Sequence, residues 1–374
     1  MPLTHGAKGT HVKLKRFSTA AAVLAAGALT LSACGGGSGN GEGGEPAADA
    51  GSVSGTLIGG GASSQEAAMT AWTQGVTEVS PDLTVNYDPV GSGAGREGFL
   101  AGQYSFAGSD AAMDEDEQEQ AASVCGPEGI FHVPSYISPV AVAFNLEGVD
   151  TVNMDAETIA QVFAGEITEW NDDAIAEQNE GTELPDTPIT VVHRSDDSGT
   201  TENFTAYLNE AAGDAWEYDE VETWPSDIAA ESAQQTSGVV SLAGSTDGAI
   251  TYADASQVGD LGTVAVGVGG EYVEYSADAA SQAVEASETK EDGSVELDRA
   301  TEEAGVYPIV LVSYHIFCQQ YQDQETADLA QAFGQYIISE EGQTAAEDSA
   351  GSAPISDETR TAAAERIDSI AVQG

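Results

Sequence analysis

The residues of this chain best suited to chemistry lie in VVHRSDDSGTTENFTAYL, Val191 to Leu208, where an apolar β-like pair runs into an arginine, a Ser-Gly-Thr turn and an amphipathic helix. This is the composition of an anion cradle. The Arg194 guanidinium is a planar fork of donors, and Ser198, Gly199 and Thr200 set hydroxyls and bare backbone N–H groups at a helix N-terminus, where the macrodipole favours negative charge. Two acids, Asp196 and Asp197, crowd it. Asp196, two residues past Arg194, either orients the guanidinium or caps the following turn. Two further turns share the design: Gly59-Gly60-Gly61-Ala62-Ser63-Ser64 and Gly91-Ser92-Gly93-Ala94-Gly95. Each alone reads as a tight turn with an N-cap. Together they point to helix N-termini converging on one small oxyanion, because ligands of open α/β sheets collect at the carboxyl ends of strands.

The surrounding pattern alternates strands with helices. GTLIGGG, LTVNYDPV and YSFAGSD read as strands, SSQEAAMTAWTQGVTEV as a helix, and GSGAGREGFLAG as a turn into a helix. VAVAFNLEG opens a new section, followed by the helix DAETIAQVFAG, the turn ITEWND and the strand TPITVVHRS. GAITYADA, TVAVGV and EYVEY form a strand-rich stretch, and the polar segment Ala279 to Glu303 carries a helix. VYPIVLVSYHIF, apolar and β-branched, is a buried strand returning to a core, and LAQAFGQYIIS and DETRTAAAERIDSIA are terminal helices. No repeat of solenoid period is visible. The fold class is α/β.

Lys8, Lys13, Lys15 and Arg16 precede an apolar run, Ala20 to Leu31, too short to span a bilayer, and Leu31-Ser32-Ala33-Cys34 closes it. This resembles a bacterial lipoprotein signal, residues 1–33. The resemblance implies cleavage before Cys34, fatty-acyl (palmitate) lipidation of that residue and a tether on the outer side of the cell membrane. An ordinary secretory peptide or a membrane anchor is the alternative. The glycine-rich tract that follows, residues 34–51, reads as a flexible spacer. Cleavage would remove four of the ten basic residues and no acid, leaving six against 63, a formal charge of −57. Such a chain binds neither nucleic acid nor anionic lipid through its surface field. Cys125 and Cys318 remain, as a disulfide or as two buried thiols, and neither has a His or Cys neighbour at metal-ligand spacing.

LIGGGASSQEAAMTAW, VGSGAGREGFLAG, FAGSDAAM and VVHRSDDSGTTENFTAYL, in this order and spacing, resemble the phosphate-binding lipoprotein of the bacterial high-affinity phosphate ABC transporter. The likeness covers nearly the whole mature chain from about Gly55, including VYPIVLVSY and the WND turn. It implies a two-lobed periplasmic-binding-protein fold with a ligand cleft between lobes, phosphate buried there, no catalysis, and no cofactor or metal. Carried over, the ligands are Ser63 and the backbone N–H of Ser64, then Ser92, Asp110, Arg194, Ser198, Gly199 and Thr200, with Asp196 behind Arg194. Ser63 and Ser64 stand where a common family pattern, GAGATF, has Thr and Phe. The implied partners are inorganic phosphate, membrane permease subunits with their ATPase, and the membrane through the lipid anchor; the protein itself is expected to be a monomer.

Chain order then sets lobe I at residues 52–141 and 309–374 and lobe II at 142–308, with two crossings as the hinge and both remaining cysteines in lobe I, which favours the disulfide. Stripping water from an ion without replacement is costly, so a buried phosphate needs many directional donors, and hydroxyls, N–H groups and one Arg supply them with little net charge. Asp110 needs a ligand that brings a proton, as hydrogen phosphate does; that disfavours sulfate and not arsenate. Arg96 is expected to be an exposed helix residue. Two alternatives remain, a binding protein for arsenate, sulfate or molybdate, and a serine hydrolase built on Ser198 with His193 or His315, for which no G-x-S-x-G elbow is present.

Overall fold

The computed structural model describes residues 53–374 apart from 286 and 291. The signal, Cys34 and the glycine-rich tract lie outside the described residues. In chain order the elements are β1 (Gly55–Gly61), α1 (Glu66–Val79), β2 (Leu83–Asp88), α2 (Ser92–Leu100), β3 (Phe106–Ser109), α3 (Glu115–Cys125) and β4 (Ile130–Phe144). Then come β5 (Thr151–Met154), α4 (Ala156–Phe163), α5 (Asp173–Ala176), β6 (Thr190–Arg194), α6 (Gly199–Ala211), β7 (Glu231–Ala233), α7 (Gln235–Ser245) and β8 (Ala249–Asp254). The remainder is β9 (Gly262–Val268), β10 (Glu271–Val273), α8 (Ala277–Glu285), β11 (Glu288–Thr289), β12 (Val295–Glu296), β13 (Val310–Cys318), β14 (Gln320–Tyr321), α9 (Gln324–Ile338), α10 (Glu340–Ala350), α11 (Asp357–Asp368) and β15 (Ala371–Val372).

One mixed sheet of 11 strands organises the chain, in the order β2-β1-β3-β13-β4-β8-β6-β7, with β9 pairing β4, β5 and β10. β4 and β13 are buried along their full lengths, as strands covered on both faces must be, and their runs of Val, Ile, Phe and Tyr suit that position. The expected helix after Ala279 is α8, which starts two residues earlier and is followed by the small β11–β12 hairpin. Cys125, the last residue of α3, is bonded to Cys318 at the end of β13, so the disulfide expected between them is present. No helix among the described residues is long and apolar enough to cross a membrane.

Two parts of the sheet repeat one topology. β1 is parallel to β2 on one side and to β3 on the other, and β6 is likewise parallel to β7 and β8. In each part the first strand sits in the middle and successive crossovers go to opposite sides, which opens a crevice at the carboxyl ends. The register turns the two crevices toward each other. Ser109, at the end of β3, aligns with Tyr314 and through it with Pro134 of β4, whereas Asp254, at the end of β8, aligns with Val140. β3 and β8 thus run toward one another over the middle of β4, whose pairing passes from β13 to β8 between Pro139 and Val140.

Candidate functional site

The loops at these facing carboxyl ends carry the three glycine-hydroxyl turns, and the backbone draws them together. Gly91 N–H donates to Gly61 O at 2.8 Å, joining the first turn to the second, and Gly93 N–H donates to Asp197 O at 3.3 Å, joining the second to the cradle. Gly199 shows how close the approach is. A Cβ there would stand 2.8 Å from Asp110 Cβ, 2.9 Å from Ser92 Oγ and 3.0 Å from Ala111 N, so only glycine fits without displacement. Gly91 has φ 105°, and a Cβ on it would come within 2.6 Å of Asp196 Oδ2. Ser63, Ser64, Ser92, Asp110, Arg194, Ser198, Gly199 and Thr200 are all buried and all lie in this cluster.

Asp110 is the hub. Its Oδ1 accepts from Ser64 Oγ and from Ser313 Oγ, both at 2.6 Å, and its Oδ2 accepts from Thr200 Oγ1 at 2.8 Å. Gln65 Nε2 donates to Ser313 Oγ at 2.8 Å, which fills that acceptor and directs the Ser313 hydrogen to the carboxylate. An ionised carboxylate offers about four lone-pair positions and no proton. Among the described residues three hydroxyls occupy three of these, and the remaining one is on Oδ2. The backbone around Asp110 is tied as tightly: its N–H donates to Ser92 Oγ at 3.1 Å, and Asn203 Nδ2 donates to its carbonyl and to Gly199 O.

Arg194 ends β6, and its side chain is held within its own segment. Nε and Nη2 donate to Asp196 Oδ1 and Oδ2 at 2.9 and 2.5 Å, a two-point fork that fixes the plane of the guanidinium. Of the two roles open to Asp196, orientation of Arg194 is the one observed, with Gln235 N–H as a further donor at 3.0 Å. Burial alone would raise the Asp196 carboxyl, but the bonds and charge of Arg194 outweigh it and hold the group below its ordinary value. The guanidinium charge is therefore balanced at its source. Ser198 caps α6, its Oγ accepting from Thr201 N–H at 3.2 Å, so the first turn of that helix presents its N–H groups to the cluster.

Several members of the site were not apparent in the sequence. Thr236, in the first turn of α7, donates its N–H to Ser63 Oγ at 3.0 Å, with its own hydroxyl also 3.0 Å from that oxygen. Gln257 Nε2 holds Ser63 O and Ser64 O at 2.8 and 3.0 Å. Ser313 is a polar residue inside the apolar run of β13, and that interruption was its signal. Asp254, at the end of β8, matches Asp110 after β3, and is wholly buried against Tyr136 OH and Ser256. Burial pushes its carboxyl up to about 7 in spite of bonds from Ser256 and Ser138.

The expectation for Arg96 is corrected. It is 6 % exposed, with Nε on Glu117 at 2.9 and 3.0 Å, Nη1 on Ser109 Oγ at 3.0 Å, and Nη1 and Nη2 forked onto Glu222 at 2.8 Å each. An isolated guanidinium in a glycine-rich turn gave no hint of partners so distant in the chain. A hydrolytic arrangement has no support in the geometry. His315 is buried among Trp72, Phe106 and Phe333 with Ser135 on Nδ1 at 2.7 Å, and His193 Nδ1 lies 2.7 Å from Arg194 O while its ring stacks on Trp224. Among the described residues no group of three or more His, Cys, Asp or Glu is placed to hold a metal ion.

Residues 46–341 match the PBP superfamily domain. The chain is 35% identical to the phosphate-binding protein PstS2 of Mycobacterium bovis (strain BCG / Pasteur 1173P2), over 87% of this chain and 92% of that protein. It is also 35% identical to the phosphate-binding protein PstS 3 of Mycobacterium tuberculosis (strain ATCC 25618 / H37Rv), over 96% of this chain and 100% of that one. Among solved structures, a high affinity periplasmic phosphate-binding protein (PfluDING) bound with phosphate superposes with a TM-score of 0.69 at 24% identity, covering 82% of this chain and 92% of its own, a likeness of fold. On the extent and level of these matches, the chain belongs to the PstS family of phosphate-binding proteins within the PBP superfamily.

Proposed function

We propose that this protein is the substrate-binding component of a phosphate ABC importer, capturing inorganic phosphate outside the membrane and delivering it to permease subunits driven by their ATPase. The observation that carries this reading is the packing of three helix-opening turns around the Asp110 carboxylate, with the two-point-anchored guanidinium of Arg194 beside the second of them at Gly91. In this reading Arg194, Ser63, Ser92, Ser198 and the N–H groups of Ser64, Gly199 and Thr200 donate to phosphate oxygens, and Asp110 accepts the ligand's proton. Because Asp196 already balances Arg194, selectivity comes from directed donors rather than from net positive charge.

The lobes are residues 52–141 with 309–374, and 142–308, and the change of partner along β4 between Pro139 and Val140 supports a hinge close to the first crossing. Lobe closure on the ligand would give the permease a means to tell loaded protein from empty. Cys34 is proposed as the site of a lipid anchor that keeps the protein at the outer face of the cell membrane, working as a monomer. Calorimetric titration of the purified protein with phosphate, arsenate and sulfate tests the reading. Saturable binding of phosphate with no heat from sulfate is the expected result; sulfate binding as tight as phosphate, or no phosphate binding, would reject it.

A further inference from the structure

Beyond residue 33 the chain has six basic residues, and three of them, Arg96, Arg194 and Arg299, are buried at 6, 3 and 7 % exposure. Arg194 belongs to the cradle. Arg96 has a different geometry: its guanidinium is divided between two parts of the molecule. On its own side, Nε is held by Glu117 of α3 and Nη1 by Ser109, the residue before Asp110. Glu117 is itself fixed, because its carboxylate accepts from Asp114 N–H at 3.1 Å in the capping box of α3. The two terminal nitrogens reach across to Glu222, in the segment between α6 and β7.

Glu222 is joined to the cradle through its backbone. Its carbonyl accepts from Ser198 N–H at 3.1 Å, and Thr223, next in the chain, donates to Asp197 at 2.5 Å. The fork from Arg96 to Glu222 therefore links α2, opened by Ser92, to the cap of α6. The side chains of Glu117 and Glu222 remain 19 and 22 % exposed against 7 % for that of Arg96, which sets the pair at the rim of the site with the arginine inside. Glu202 of α6 faces Glu222, and burial beside that carboxylate pushes the Glu202 carboxyl up. Without the Arg96 cation, three acidic side chains would be left together at this rim.

We infer that the Arg96–Glu222 fork is a latch across the cleft, holding the two lobes closed and setting the rate at which bound anion leaves. This rests on the two-lobed binding reading above. Arg96 is a positioning residue here, since it holds the segments that carry Ser92 and Ser198 and is not itself proposed to touch phosphate. A buried charge pair of this kind acts on dissociation more than on association. Glu222→Gln and Arg96→Lys keep side-chain volume and hydrogen bonding but weaken the fork.

Two measurements on the full protein test the latch. The first needs no ligand: hydrogen exchange at Gly93 N–H, which bonds across the cleft to Asp197 O, compared with amides in the β4–β13 ladder. In either variant the Gly93 amide should exchange at least about tenfold faster while the ladder stays at the parental rate. Unchanged exchange at Gly93, or equal acceleration throughout the ladder, overturns the latch whether or not the protein binds phosphate. The second follows phosphate binding and release by stopped-flow tryptophan fluorescence. Dissociation should quicken by at least about tenfold with association little altered. Parental dissociation rates in both variants overturn the proposal. If the parent binds no phosphate, the functional reading fails, and the exchange result alone decides the latch.

Discussion

The part built on β2-β1-β3 and the part built on β7-β6-β8 share strand order, parallel pairing and crossover pattern, yet they anchor their central charged groups in different ways. Arg194 is fixed by Asp196, two residues away on the same loop. Asp110 is fixed by hydroxyls from Ser64, Thr200 and Ser313, which lie 46, 90 and 203 residues away along the chain. A cation needs one well-placed carboxylate to hold its plane, and a short loop provides that. An acceptor meant to keep one position open must have its other lone pairs filled from several directions, and only tertiary structure supplies these. In the proposed function the local anchor places positive charge where an anion is to sit, and the convergent anchor decides which anion fits.

Removing the local anchor's cation should have the largest effect. Arg194→Ala should weaken phosphate binding by about 2 to 5 kcal/mol, the scale for truncating one partner of a buried charged contact. Arg194→Lys should recover only part of the loss, since an ammonium cannot form the fork. Calorimetry on folded variants checks both, and parental affinity in Arg194→Ala would remove Arg194 from the site. A smaller effect is expected where the two anchors touch. Gly199→Ala inserts a Cβ within 2.8 Å of Asp110 Cβ, and such overpacking should cost about 1 to 3 kcal/mol, read as a lower unfolding midpoint together with weaker binding. A variant as stable and as tight as the parent would show that the anchors are not in contact.

The smallest effect at neutral pH separates Asp110 from its topological counterpart. Among the described residues no cation is paired with Asp254, and burial raises its carboxyl from an ordinary value of 3.8 to about 7. Between those values the folded protein keeps a proton that the unfolded chain has released, so this group's contribution to stability falls as pH rises through the window and is lost above about 7. Asp196 runs the other way: its lowered value adds stability that persists at neutral pH and is lost only on acidification through the carboxylate range. Asp254→Asn should therefore flatten the decline in unfolding midpoint between pH 5 and pH 8. Parallel midpoint curves for parent and variant would contradict the assignment.

What could be read from the sequence follows the same division. The cradle, the two glycine-rich turns and the strand–helix alternation were legible because their determinants lie within a few residues of one another. Arg96 was misplaced because its partner Glu222 is 126 residues away and nothing near it in sequence requires burial. Thr236 and Ser313 escaped for the same reason, being 173 and 203 residues from Ser63 and Asp110. Helices α3 and α7 were missed because their buried faces are slight: Ala121 and Cys125 in the first, Thr236, Val239 and Ala243 in the second. Apolar periodicity that weak does not register as a helix until a sheet is present for it to pack against.

In the proposed function the open acceptor position of Asp110 reads the proton carried by hydrogen phosphate. Sulfate brings no proton at neutral pH and would set lone pairs against lone pairs, and sites built on one obligatory hydrogen bond discriminate by about 10⁴ to 10⁵. Asp110→Asn replaces an acceptor-only group with an amide that can also donate. Competition between phosphate and sulfate at matched ionic strength, on the parent and on folded Asp110→Asn, is the most direct measurement. The variant should gain measurable sulfate binding while still binding phosphate; an unchanged phosphate-to-sulfate ratio would show that Asp110 does not read the ligand's proton.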